Sequence, residues 1–424
     1  MEKNSLTIKD ILILLCCVLI MATTMGIVNV VLSIFYPVVS LDLGVSRTSF
    51  ALTGTITALS GMAASMLWGF FYSKKPLQIP MIVSIITMGL CFFGMQAAKN
   101  LVHFYALAFL IGISYGGISI IPVSIIITRH FTKRTGFALS SALAGSGLGP
   151  MILNPIINTI ISNNDWQDGY GLIAIVTFAI TLPCAILVTQ LTKEDLQNKL
   201  SPNMPSLVSE SRRTNIYPWF WAFLFAAALA GLTGGGVLAN LPNYLNDLNF
   251  SVSRISIVTS AYAGSLVLGK IILGVLYDRL GGKKATLVSG LLMSFSLMLM
   301  MFINKTPLLI LMLMFIGIGL AIGTVSITWL TNFFFGKENY SKYYGTVQFA
   351  NSLGIAVGVP AIAAALENLG NTNLLWIGLT GLSLVMVSLF LVSIRSNKRL
   401  KAHQLSYSTG SDHHSLQGTG TDRS

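Results

Sequence analysis

Apolar runs long enough to cross a lipid bilayer recur along the whole chain, and nothing else in the sequence constrains the fold as much. A spanning helix needs roughly 20 mostly apolar residues. Twelve stretches meet that length: 11–35, 48–72, 79–98, 103–128, 136–161, 170–191, 217–241, 255–278, 285–303, 307–332, 343–366 and 372–394. In hydrocarbon every backbone N–H and C=O must find a partner inside the protein, so uninterrupted runs of this kind are helices. Composition agrees. Of 424 residues, 54% are hydrophobic and 9% charged, whereas soluble domains carry about a quarter charged residues. A soluble globule and a disordered chain are both excluded. The first run is too long for a signal peptide and lacks a small-residue cleavage site.

The charges set the expected orientation. With the N-terminus in the cytoplasm, 21 of the 26 Lys and Arg residues fall on the inner side. Four fall outside (Arg47, Lys99, Arg254 and Lys305), and one, Lys270, lies inside a span. Basic residues accumulate on the cytoplasmic side of membrane proteins, so both termini are expected there. The net charge of +12 is then directed at the inner leaflet of the lipid bilayer and not at nucleic acid. Cys16, Cys17, Cys91 and Cys184 all sit within apolar runs without metal-type spacing, and read as small core residues.

The organisation is a duplicated one. Residues 1–191 form an N-terminal six-helix bundle, 192–216 a cytoplasmic linker, 217–395 a C-terminal six-helix bundle, and 396–424 a disordered cytoplasmic tail. Pro37, Asp42 and Leu43 precede Pro242, Asp247 and Leu248 by 205 residues, as Gly69, Tyr72 and Lys74 precede Gly274, Tyr277 and Arg279. Gly136, Gly145 and Gly149 in span five match Gly345, Gly354 and Gly358 in span eleven, with spacings of nine and four in both sets. The fold class is therefore all-α and integral to the membrane, with twelve spans in two pseudo-symmetric bundles. A cavity lies between the bundles and is exposed to each side in turn as they rock.

One cation is out of place. Lys270 is eight residues from Asp278, which lies at the inner end of span eight. At about 1.5 Å per residue it lies ~12 Å deep in a ~30 Å core. A Lys there costs about 2.5–3.5 kcal/mol on insertion scales. All fourteen acidic residues lie in loops, tails or span ends, so no carboxylate is placed to neutralise it. We expect Lys270 to line a wet cavity and to take its counter-charge from an anionic substrate. Gln348 and Asn351 share a helix face at three-residue spacing and suit hydrogen bonds to a small polar ligand, or equally bonds between helices. Tyr115, Asn29 and Trp329 also fall among the cavity candidates, with packing as the alternative for each.

The run from Gly269 through Gly274, Tyr277, Asp278, Arg279, Gly281 and Gly282 to Lys283 and Lys284 resembles the G-x-x-x-D-R-x-G-x-[RK]-[RK] loop of the major facilitator superfamily. The stretches Phe35-Tyr36-Pro37 to Arg47, and His130 to Ala138, resemble its monocarboxylate and oxalate/formate antiporter branch. The superfamily resemblance covers all twelve spans. It implies secondary transport by alternating access, with Gly274, Asp278, Arg279 and Lys283 forming a gate that ties helices together in one state of the cycle. The N-half copy of the loop, Ser73-Lys74-Lys75-Pro76, lacks both Asp and Arg, so the gate is expected to be asymmetric. In the oxalate/formate branch the position like Lys270 carries an Arg that binds the substrate carboxylate. A second cation there is replaced here by Asn351, which favours a monoanion over a dianion.

The expectation is a secondary active or facilitative transporter of small organic anions, with a coupling proton or counter-anion left open. It is expected to act as a monomer in a bacterial inner membrane or a plasma membrane. No cofactor, metal site, nucleotide motif or catalytic constellation is visible, so no enzyme activity is assigned. Two alternatives stay open. One is a drug exporter of the same superfamily: Gly145-Ser146-Gly147-Leu148-Gly149-Pro150 resembles an exporter motif, although Leu153 and Asn154 replace its later glycines. The other is a nutrient sensor on the same scaffold, which would fail to move ligand in liposomes.

Overall fold

The computed structural model describes residues 7–74, 76–131, 134–193, 218–250, 252–305, 315, 317, 319–369 and 372–415. Every regular element among them is helical. Ten stretches are long and apolar enough to cross a bilayer. Six form the N-terminal bundle: Ile8–Ile34, Ser49–Tyr72, Gln78–Gln96, Leu101–His130, Thr135–Asn163 and Trp166–Leu191. The remaining four are Pro218–Leu241, Gly264–Phe302, Asn339–Leu366 and Thr372–Asn397.

The Gly264–Phe302 stretch holds two spans. It turns at Gly281, where φ is 72° and ψ 166°, a region essentially reserved for glycine because any Cβ would clash with the backbone. Spans eight and nine lie on either side of it. The Ile322–Asn368 helix turns in the same way at Gly336 (φ 68°, ψ 176°), which separates the end of span ten from span eleven. The start of span ten, 307–314, lies outside the described residues. Twelve spans in two six-helix bundles result. We expect Gly281→Ala to cost about 1–3 kcal/mol of stability, read as a lowered thermal unfolding midpoint in detergent. Gly378→Ala in span twelve, where an added Cβ meets nothing within 4 Å, should leave that midpoint unchanged.

Local irregularities repeat between the halves. Span one contains a π-helical turn at Ala22–Gly26, and span seven one at Gly231–Gly235, at the offset that separates Gly136 from Gly345. In each, a threonine bonds back to the carbonyl four residues earlier: Thr24 Oγ1 to Ile20 at 2.6 Å and Thr233 Oγ1 to Leu229 at 2.7 Å. Such bonds compete with the helix ladder and bend the helix.

Some sequence expectations need correction. Gly336 to Tyr343 reads as extra loop; only Gly336 is a turn, and the residues after it begin span eleven. Lys337, Glu338 and Lys342 interrupt the apolar run there without breaking the helix. The last helix runs on to Ser415, so 396–415 is helical where a disordered tail is expected. Lys398, Arg399, Leu400, Lys401 and Ala402 are all good helix formers. The linker residues 194–216 and the tail beyond 415 lie outside the described residues.

Candidate functional site

The two bundles meet along two seams, span five against span eight and span two against span eleven. Glycine sets the approach at both. A Cβ on Gly136 of span five would stand 2.5 Å from the Gly274 carbonyl oxygen of span eight. One on Gly69 of span two would stand 2.9 Å from Gly345 Cα of span eleven. The repeated glycines therefore pair with one another across the interface, Gly69 with Gly345 and Gly136 with Gly274. Gly145 and Gly149 serve a different contact: there a Cβ would strike the carbonyls of Val18 and Ala22 in span one. Gly354 and Gly358 stand in the same relation to Ala228 and Leu232 in span seven. Nine residues amount to about two and a half helical turns. The first glycine of each set thus faces the other bundle, and the last two face the neighbouring helix of their own. Small residues let helix backbones approach this closely in a membrane.

Asp278 adds a polar clamp to one seam. Its carboxylate oxygens accept hydrogen bonds from the backbone N–H groups of Gly136 and Phe137, both at 2.8 Å. These donors belong to the first turn of the Thr135–Asn163 helix, whose own N-cap, Arg134, supplies no side-chain bond. Span eight therefore caps span five. Orphan amides and the positive end of the helix dipole both favour a carboxylate at this place. Arg279 and Lys283 are exposed and form no ion pair among the described residues. The seam between spans two and eleven has a weaker polar contact, Ser65 Oγ to the Gly345 carbonyl at 3.5 Å.

Lys270 lies on span eight, further from this end, and is only 4% exposed. Its Nζ crosses to span five, donating to Ser146 Oγ at 2.7 Å and to the Leu143 carbonyl at 3.2 Å. Both partners are neutral, and no carboxylate approaches the ammonium among the described residues. Sequence reasoning did not place Ser146 or Leu143 beside Lys270; it takes Ser146 only as part of the Gly145–Pro150 run that resembles an exporter motif.

The other candidates divide. Asn29 Nδ2 donates to Tyr115 Oη at 3.4 Å, which joins spans one and four. Gln348 accepts from Tyr344 Oη at 3.4 Å, and Tyr344 meets Thr328 Oγ1 at 3.0 Å. Asn351 takes the interhelical course: its Nδ2 donates to the Ala227 carbonyl of span seven at 3.0 Å. Trp329 is not brought to Lys270. It packs against Tyr277 with ring centroids 4.9 Å apart and stacks on Phe333 at 5.4 Å.

Comparison with known proteins agrees with this architecture. A multidrug resistance protein, MdtG, of Citrobacter koseri is 27% identical over 64% of this chain and 68% of its own length. Its namesake from Escherichia coli O9:H4 is 27% identical over 60% of this chain and 62% of its own. The proton:xylose symporter XylE superposes with a TM-score of 0.66 at 12% identity, covering 91% of this chain and 93% of that one. The sequence profile of the Major Facilitator Superfamily matches residues 14–244 and 223–411, and the chain accordingly belongs to that superfamily of multi-pass membrane transporters.

Proposed function

We propose that this transporter carries small organic anions, monocarboxylates in the first place, by alternating access between its two bundles. The observation that carries the reading is Lys270: a buried ammonium between the bundles whose partners are a hydroxyl and a carbonyl. A charge removed from water needs an opposite charge to be well compensated. A carboxylate arriving in the cavity supplies one, whereas an organic cation would be repelled. Asp278, bound to the start of span five, ties the two bundles together at one end of their interface, and the basic loops make that end the cytoplasmic one. With bacterial relatives, the membrane is the bacterial inner membrane, and both termini face the cytoplasm. The coupling partner is a proton or a counter-anion.

The names of the relatives favour a second reading, drug export, at 27% identity. A thermal-shift screen of the purified protein separates the two. A ligand that binds the folded state only raises its stability by about 2.7 kcal/mol at a hundred times its Kd. Formate, lactate or pyruvate should raise the unfolding midpoint, and cationic drugs should not. Stabilisation by the drugs alone would overturn the anion reading in favour of export.

A further inference from the structure

We propose that Ser146, together with the Leu143 carbonyl, is a built-in stand-in for the substrate carboxylate: it holds the Lys270 ammonium in the empty carrier, and an anion binds by taking the ammonium from it. The proposal rests on the reading of Lys270 as the anion anchor and adds a residue that sets affinity.

Three contacts carry it. Lys270 Nζ donates to Ser146 Oγ at 2.7 Å and to the Leu143 carbonyl at 3.2 Å. Ser146 Oγ in turn donates its own proton to the same Leu143 carbonyl, at 2.8 Å. The hydroxyl hydrogen is thus turned away, and a lone pair is presented to the ammonium. An ammonium has three donors, and these two neutral acceptors engage two of them without cancelling its charge. A carboxylate offers two acceptor oxygens and a full opposite charge, so it outcompetes them. The stem of Lys270 has four flexible carbons, long enough to swing from one set of acceptors to the other while its backbone stays in span eight.

The placement adds a consequence. Lys270 and Ser146 lie on opposite sides of the seam between spans five and eight. The Lys270 contacts therefore tie the two bundles together at this point, and under the proposal ligand capture and release of that tie become one event. Ser146 is 8% exposed, so water does not readily replace it as the acceptor.

The test is the KM and maximal rate of formate and lactate uptake in proteoliposomes, with binding of sodium formate followed by thermal shift. Removing the competing hydroxyl should tighten anion binding. A hydrogen bond to a charged group contributes on the order of tenfold or more to an equilibrium. We expect Ser146→Ala to lower the KM about tenfold, and Ser146→Thr, which keeps the hydroxyl, to restore it. Ser146→Asp supplies an internal carboxylate and should abolish formate binding in a protein that still elutes as a folded species. Should the alanine protein fail to fold, Ser146→Cys, close in volume but a weak acceptor, carries the same expectation. A KM that rises in Ser146→Ala would make the hydroxyl a direct substrate ligand and overturn the proposal, as would an unchanged KM. These outcomes differ from failure of the anion reading. That reading falls if wild-type protein binds neither formate nor lactate, or if Lys270→Ala retains the wild-type KM. If Lys270 matters and Ser146 does not, only the present inference falls.

Discussion

Lys270→Ala is expected to cut uptake of formate, lactate and pyruvate into proteoliposomes by roughly 30-fold or more, while the protein still folds. A bound carboxylate would lose its counter-charge at a site where Lys270 is only 4% exposed, not the wet surroundings expected from the sequence. Truncating one partner of a buried charge pair costs about 2–5 kcal/mol, or roughly 30- to several-thousandfold. Folding should survive because the substitution removes a buried ammonium whose partners are only Ser146 and the Leu143 carbonyl. Lys270→Glu should fail equally. Lys270→Arg should retain transport and sharpen selectivity for carboxylates, because a guanidinium presents a two-pronged donor face that an ammonium lacks. Lactate uptake at the unmutated rate in the alanine variant would show that the anion is held elsewhere.

Asp278→Asn should shift the balance between the open and closed states of the Asp278 end. The carboxylate accepts from two backbone amides at 2.8 Å at the start of span five. Asparagine keeps one acceptor and loses the charge that complements the helix dipole. Charge-assisted hydrogen bonds contribute about 1.5–3 kcal/mol, and a charge at a helix end a further 0.3–1 kcal/mol or more. The closed population should fall by about tenfold or more. The measurement is a spin-label distance between the near ends of spans five and eight in detergent. A longer mean distance in the variant is expected; an unchanged distribution would mean that the glycine seam closes this end by itself. Transport should slow because one half-cycle becomes too easy and its return too costly, with the affinity for anion little altered.

The sequence made the membrane architecture legible because length of apolar run is a strong one-dimensional signal. It also exposed the duplication, through glycines at fixed spacings, and the importance of Gly281, through the motif around it. It did not reveal what the glycines touch. Gly136 and Gly274 lie 138 residues apart, and no periodicity within one helix records a partner on another. The start of span eleven is hidden in the sequence for a related reason: charges at Lys337, Glu338 and Lys342 end an apolar run without ending a helix.

Among the site candidates, Lys270 was legible because charge at mid-membrane is rare and costly. The amides were ambiguous by nature. Asn351 and Gln348 have the same chemistry and share a helix face, yet Asn351 spends its donor on the Ala227 carbonyl while Gln348 accepts from Tyr344. Counting along a span whose beginning is hard to fix draws Trp329 to the centre, whereas tertiary packing sets its stacking on Phe333 and its tilted contact with Tyr277. Ser146 is visible in the sequence only as part of the Gly145–Pro150 run; nothing along the chain places its hydroxyl beside Lys270, 124 residues away.

The inequality of the two seams has a mechanical consequence. One edge is latched by a carboxylate, while the other, among the described residues, rests on close fit and one long hydroxyl contact. Under equal load the poorly latched edge yields first, so the halves part like a door swinging on its jamb and not like the jaws of a clam. Labels placed along spans two and eleven would then travel earlier and further than labels along spans five and eight, and the strength of one latch would set the pace of the whole swing.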